Sequence, residues 1–325
     1  MARCNVCFRH CEIPEGKVGF CGARICEDGI VRAANYGVVS ALALDPIEKK
    51  PLNRFMAGSR ILSVGSYGCN LRCPFCQNSE ISWSKEALRM ASQAMQMTQA
   101  SQAKLKPAPQ VTQVTPRQLA DTAAYYRSEG NVGLAFTYNE PLIGYEFVRD
   151  TAKLVHEAGM VNVLVTNGTA EVEILDEIAP YIDAMNIDLK GFTDRYYEDV
   201  LGGNRQMVMR FIERAVQICH VELTTLIIPG ENDSAEEMRE MCAWIASLGG
   251  ADKAVDGSRD GSADGATDEA VCKRGTQRGR DIPLHISRFF PQFHMTDRPA
   301  TSVKKVYELA DVAREQLNYV YTGNC

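Results

Sequence analysis

The sequence predicts an α/β fold, a partial (β/α)6 TIM-like barrel preceded by a small cysteine-rich N-terminal module. Three observations carry that expectation. Six apolar runs rich in β-branched residues, at 61–65, 132–137, 161–166, 185–189, 221–228 and 282–287, alternate with helix-length segments. Strands joined by connections of that length pair in parallel, because each crossover has to return over the face of the sheet. Ahead of the first run, residues 1–55 hold five of the twelve cysteines of this 325-residue chain. The expected division is therefore a metal-binding module at 1–55 and a barrel at 56–325, with insertions at 87–113 and 251–281.

Taken in order, the module ends in segment 41–51, which reads as short strands and turns closed by Pro46 and Pro51. Thr115 followed by Pro116 predicts an N-cap with proline at the first helical position, and Gly130 lies just past the end of that helix. Asp233-Ser234 with Glu236 and Glu237 opens another helix, closed by Gly249-Gly250. Residues 87–113 are rich in Gln, Ala, Met and Ser, and residues 251–281 in Gly, Asp and Ser. Neither stretch has the periodicity to build a core, so both are expected to be exposed. In barrels of this kind functional residues sit at the C-terminal ends of the strands, which is where the motifs should fall.

Composition narrows the function classes. Apolar residues make up 45% and charged residues 23%, ordinary for a globular protein, and the net charge is −6. That sign argues against nucleic acid or an anionic membrane as partner, since both require surplus Lys and Arg. No apolar run approaches the ~18 residues of a membrane span, and the N-terminus has no apolar leader. A cytoplasmic location is expected, where thiols stay reduced and cysteines serve as metal ligands rather than disulfides.

Directly after the first run stand Cys69, Cys73 and Cys76, spaced Cys-x3-Cys-x2-Cys, with Phe75 before the last. Three soft thiolates on one loop suit a cubane iron–sulfur cluster and leave one iron open, whereas structural zinc wants four closed ligands. This pattern, at the end of the first barrel strand, resembles the radical S-adenosylmethionine (radical SAM) superfamily. The resemblance implies a [4Fe-4S] cluster on Cys69, Cys73 and Cys76 as the catalytic centre. It also implies S-adenosylmethionine on the open iron, cleaved reductively to a 5′-deoxyadenosyl radical that abstracts hydrogen.

Later strand ends extend the resemblance. Thr137-Tyr138-Asn139-Glu140-Pro141 is similar to the Gly-Gly-Glu-Pro segment of related activating enzymes, with Tyr-Asn in place of Gly-Gly. It implies a cofactor contact by Asn139 and Glu140. Thr166-Asn167-Gly168 and Asp188-Leu189-Lys190-Gly191 resemble segments lining the cofactor pocket, where Asn167 and Asp188 would meet hydroxyls or the ammonium and Lys190 the carboxylate. His285 is similar to a strand-end histidine that contacts the cofactor in pyruvate formate-lyase activating enzymes, and Phe75 is the aromatic of the cysteine loop.

Cys4, Cys7, Cys11 and Cys21 offer four soft ligands within eighteen residues. Zinc or an auxiliary iron–sulfur cluster both fit, and the spacing does not choose. Cys26, Cys219, Cys242 and Cys272 read as plain thiols. With segment 35–51, the block resembles the AmmeMemoRadiSam-system radical SAM enzymes, themselves similar to pyruvate formate-lyase activating enzymes. Members of that family commonly continue past a Tyr-Thr-Gly-Asn segment into a Cys-Pro-x-Cys tail; here the sequence stops at Cys325, so that tail is absent or truncated away. The expected activity is that of a radical SAM oxidoreductase, fed by a low-potential donor such as flavodoxin or ferredoxin. Its substrate is a glycyl-radical enzyme to be activated, or another protein or small molecule of that system. The competing reading is a non-enzymatic metal-binding scaffold.

Overall fold

The computed structural model describes residues 1–83, 112–249 and 277–325. Its centre is one eight-stranded sheet: β1 (Ala41–Pro46), β2 (Arg60–Gly65), β3 (Asn131–Phe136), β4 (Val161–Thr166), β5 (Ala184–Asp188), β6 (His220–Ile227), β7 (Leu284–Arg288) and β8 (Val320–Gly323). Neighbours in the sheet are neighbours in sequence, from β8 through to β1. All pairs are parallel except β1–β2, which is antiparallel in register Ala41↔Gly65 to Pro46↔Arg60. The open order of the sheet, with helices in the crossovers, is a partial barrel.

Among the described residues, six helices of seven residues or more lie in the crossovers: α1 (Pro116–Tyr125), α2 (Tyr145–Glu157), α3 (Val172–Ile178), α4 (Arg205–Ala215), α5 (Ala235–Ser247) and α6 (Val303–Arg314). Their starts follow local chemistry. Thr115 accepts from the Gln118 amide while the Gln118 side chain accepts from the Thr115 amide, a capping box that satisfies two otherwise orphaned donors. Ser234 and Ser302 cap α5 and α6 by accepting from the Glu237 and Lys305 amides. Among the described residues no helix is long and apolar enough to cross a membrane.

Strand alternation divides the core. One face of the sheet, carrying Leu62, Val64, Leu134, Phe136, Leu164, Met185 and Ile187, packs under the helices. The opposite, inner face carries Ile61, Ala135, Val163 and Ala184, and the turn after β1 folds Ile47 and Leu52 onto them. Where the inner face is polar, the polar groups pair: Asn186 donates to Pro51 O at 2.9 Å and accepts from Thr224 Oγ1 at 2.9 Å.

The first forty residues form short hairpins, Ala2–Arg3 with Glu12–Ile13 and Arg24–Glu27 with Ile30–Ala33. They dock on the rim of the sheet: Glu171 N donates to Val6 O, and Arg24 pairs with Glu146 of α2 at 2.7 Å. β1 belongs to the large sheet although it lies within residues 1–55. The expected insertions lie mostly outside the described residues. Of their edges, Thr112–Gln113 pairs with Val38–Val39, and Gly279–Asp281 forms one 3-10 turn.

Candidate active site at the C-terminal strand ends

The loop after β2 is held by its neighbours before any ligand is considered. Gly68 sits at φ +90°, a backbone conformation that L side chains rarely adopt, and a Cβ there would come within 2.7 Å of Cys21 O and 2.8 Å of Ile143. Asn139, just past β3, accepts from Ser66 N at 2.9 Å and donates to Tyr67 O and Gly68 O. From the far side, Gln292 donates to Phe75 O at 2.8 Å and His294 N donates to Pro74 O. Phe75 itself is buried, 4% exposed.

On this loop Cys69 and Cys76 are half-buried and Cys73 is buried. Burial pushes the Cys73 thiol up to about 11; Cys76 and Asp188 add to that shift and Lys190 opposes it. Cys69 is likewise raised by burial, then by the Glu140 carboxylate and by Cys73. The three thiols therefore lie within one another's field, with no carboxylate or imidazole among the donors. Among the described residues no group of three or more His, Cys, Asp or Glu converges as around a single metal ion. A cubane needs no such convergence, because each thiolate binds a different iron. The soft, three-member donor set fits a [4Fe-4S] cluster.

The other strand ends come to the same rim in different ways. Asn167 donates from Nδ2 to Asn70 Oδ1 at 2.9 Å and lies 3.7 Å from Cys69 Sγ. Lys190 and Asp188 pair at 2.9 Å beside Cys73, and both side chains keep some exposure, 17% and 32%. The opposing charges hold the Lys190 ammonium above its ordinary range despite its burial.

Glu140 is brought to the rim but is committed to the protein. Its Oε1 accepts from Leu142 N and Thr166 Oγ1 at 3.0 and 2.8 Å, and its Oε2 accepts from Asn167 N at 2.8 Å. Burial raises it to about 7 even so, with Asp188 adding to the shift. The carboxylate ties β3 to β4 and fixes Asn167; the expected direct contact with a ligand ammonium does not follow from this geometry.

His285 does not join the strand-end cluster. It is the second residue of β7, on the inner face, with Nε2 2.6 Å from Glu222 Oε2 and its ring stacked on Tyr321. Glu222 also meets His220 Nε2 at 3.0 Å and accepts from the Asn53 and Arg54 amides. That histidine is part of a buried polar network inside the sheet.

Several rim residues were not singled out by the sequence. Asn70 bridges Asn167 to the N-terminal loop, its carbonyl accepting from Arg9 Nε at 2.7 Å. Arg72 stacks on Phe20 and Trp83, at 3.8 and 3.3 Å. Tyr138 takes φ +72° and donates to Asp45 at 2.9 Å under the Lys50 ammonium. The departure from Gly-Gly was the available signal: a position glycine occupies without strain holds a tyrosine, fixed by its hydrogen bond to Asp45.

In the N-terminal block, Cys4, Cys7, Cys11 and Cys21 line one cavity. Burial pushes Cys21 up to about 11, with Cys7 and Cys4 adding to the shift. Cys26 points elsewhere, 3.4 Å from Glu15. Cys242 contacts Met238, Cys219 is buried in the core, and Cys272 lies outside the described residues.

Comparison with known proteins agrees with this architecture. An uncharacterized protein, MJ0808, of Methanocaldococcus jannaschii is 34% identical over 99% of this chain and 81% of its own length. The pyruvate formate-lyase 1-activating enzyme of Escherichia coli K12 is 21% identical over 57% of this chain and 68% of its own. Streptococcus suis SuiB, in its S-adenosylmethionine-bound structure, shares the fold with a TM-score of 0.51 at 9% identity. The match covers 86% of this chain and 53% of SuiB, so the chain spans about half of that protein. Residues 63–243, which run from β2 into α5 and include all three loop cysteines, match the radical SAM superfamily, a family that implies a [4Fe-4S] cluster and S-adenosylmethionine, and this chain belongs to it.

Proposed function

We propose that Cys69, Cys73 and Cys76 hold the [4Fe-4S] cluster and that the chain is a radical SAM oxidoreductase acting on a protein glycine, in the manner of a glycyl-radical enzyme activase. The observation that carries the reading is the three-thiol loop at the end of β2, braced from β3, β4 and the segment after β7. When bound, the cluster supplies one electron for reductive cleavage of S-adenosylmethionine, giving a 5′-deoxyadenosyl radical that takes hydrogen from the substrate.

The chain's own residues would divide the remaining work. Asn139 and Gly68 set the loop's entry, and Asn167, held by Glu140, presents its amide beside Cys69. Asp188 and Lys190 keep enough exposure to meet the ribose hydroxyls and the carboxylate of the cofactor. Phe75 fills the loop's interior and keeps water from its base. Residues 1–55 form a metal module, zinc or an auxiliary cluster. A flavodoxin- or ferredoxin-type donor supplies electrons in the cytoplasm. Support for the glycine substrate comes from relatives named as activating enzymes, at 21% and 25% identity over 57% of this chain.

The test is anaerobic reconstitution, dithionite reduction and assay for 5′-deoxyadenosine. The wild-type chain is expected to form it, and Cys73→Ala to form none. A fully loaded wild-type protein that binds S-adenosylmethionine without cleaving it would leave only the scaffold reading. The substrate is then sought by crosslinking in the native cell, where capture of a glycyl-radical enzyme is the expected result.

A further inference from the structure

Cys4, Cys7, Cys11 and Cys21 surround a cavity whose wall also includes Arg9 and Arg24. Cys4, Cys7 and Cys21 are 6–7% exposed. Four thiols gathered this closely in an apolar interior gain nothing from hydrogen bonding to one another. The arrangement becomes favourable when a metal takes the thiolates and releases their protons.

Two further observations, one on the cavity wall and one at a side chain packed against Cys21, point to a ligand larger than one ion. Arg24 is 5% exposed and paired to Glu146 through Nη1, yet its Nε has no partner. Tyr67, 2% exposed and packed with Cys21, Ala23 and Ile143, also leaves its hydroxyl unpartnered. Buried donors of this kind ordinarily find an acceptor. Zinc brings no acceptors beyond the thiolates and draws four sulfurs to ~2.3 Å of one point. Cys4, Cys7, Cys11 and Cys21 are spread around the wall of one cavity. A cubane cluster spreads its thiolates over four irons and adds sulfides that accept from N–H and O–H groups.

The site lies against the first one. Gly68 packs on Cys21 O, Cys7 lies in an antiparallel bridge with Ala170, and Asn70 connects the Cys7 loop to Asn167 beside Cys69. We propose that Cys4, Cys7, Cys11 and Cys21 hold a second iron–sulfur cluster, not zinc, with Arg24 and Tyr67 donating to its sulfurs. This deepens the reading of residues 1–55 as a metal module and stands apart from the assignment of Cys69, Cys73 and Cys76.

Three proteins reconstituted anaerobically with iron and sulfide, and offered zinc in parallel, test it. They are the wild type, the Cys69→Ala/Cys73→Ala/Cys76→Ala variant and the Cys4→Ala/Cys7→Ala/Cys11→Ala/Cys21→Ala variant. The expected contents are about eight irons in the wild type and about four in each variant, each with equal acid-labile sulfide. The triple variant should show an electron paramagnetic resonance signal on reduction. Zinc without sulfide in the triple variant, or no metal there, overturns the second cluster, while the quadruple variant's ~4 irons still report on the Cys69 site. Conversely, about four irons in the wild type and in the triple variant alike would remove the Cys69 assignment and keep this one. In the triple background Tyr67→Phe should shift the cluster's midpoint potential to more negative values. An unchanged potential overturns the Tyr67 contact.

Discussion

Two buried glutamates of the same sheet have been driven in opposite directions. Glu140 on the rim is raised to about 7, and Glu222 on the inner face is held down to about 2. Both are almost fully buried, at 3% and 0% exposure, so burial is not what separates them. Burial raises both, and the surroundings decide the outcome. Glu222 has two imidazole Nε2 atoms and two backbone amides on its oxygens, enough to hold the anion. Glu140 has two amides and a hydroxyl, and it faces the negative charge of Asp188. The lesson is that burial raises the rim carboxylate further than its three hydrogen bonds lower it, with Asp188 adding to the rise, while four donors hold the one inside the sheet as an anion.

The largest effect should come from removing the inner anion. Glu222→Ala leaves two backbone amides and two buried imidazoles uncompensated and is expected to cost about 4 kcal/mol in urea unfolding. A loss comparable to an ordinary surface substitution would mean that the network does not hold β6 and β7 to the turn at Asn53.

The two carboxylates should also give opposite pH dependences. Glu222 has a folded pKa below its ordinary 4.5, so its contribution is present above pH 4.5 and is lost as pH falls toward 2. At about 1.4 kcal/mol per unit this amounts to about 3 kcal/mol. Glu140 is raised from the same 4.5, so its contribution is present below pH 4.5 and is lost as pH rises through 7. Unfolding across pH 2–8 should show the acid limb disappear in Glu222→Gln and the neutral limb flatten in Glu140→Gln. If Glu140→Gln keeps the wild-type slope between pH 4.5 and 7, the rim carboxylate is not the group responsible.

A smaller change should follow from loosening the rim without touching either acid. Asn139→Ala removes an acceptor from Ser66 N and donors to Tyr67 O and Gly68 O, a loss of about 2 kcal/mol, together with weaker iron retention by the Cys69 loop. Thr115→Ala, remote from both carboxylates, should cost about 1 kcal/mol through loss of the α1 cap and leave both pH limbs in place.

Much of the scaffold was legible because alternation and punctuation are local. The six expected strands appear within two residues of their anticipated bounds, and the caps at Thr115 and Ser234 are where the residue types require them. β8 was missed: Val-Tyr-Thr-Gly is four residues long, only half-buried, and has no long apolar run. β1 was seen as a strand, but its membership in the large sheet depends on pairing with β2 across the turn at Ile47 and could not be read from its own residues.

At the site, residue types were easier to read than their commitments. The cysteine spacing carries the family resemblance by itself, and residues 63–243 match that family. Glu140 is spoken for by Thr166 and Asn167, twenty-six and twenty-seven positions away, and no local pattern reveals that. His285 has the same difficulty: only the β6–β7 register, Thr224↔His285, puts it on the inner face with Glu222. Asn70 reads as a spacer between ligands until the fold lays the N-terminal loop against it.

The strictly sequential order of the sheet has a consequence for how the protein is made. Each strand's partners are the ones synthesised just before and just after it, so the sheet can grow by one unit at a time as the chain emerges from the ribosome. The Cys69 loop is synthesised early, yet its braces at Asn139, Asn167 and Gln292 arrive later and from separate units. The loop is therefore unbraced when β2 emerges and gains its supports one at a time, the last when the segment after β7 brings Gln292 across it.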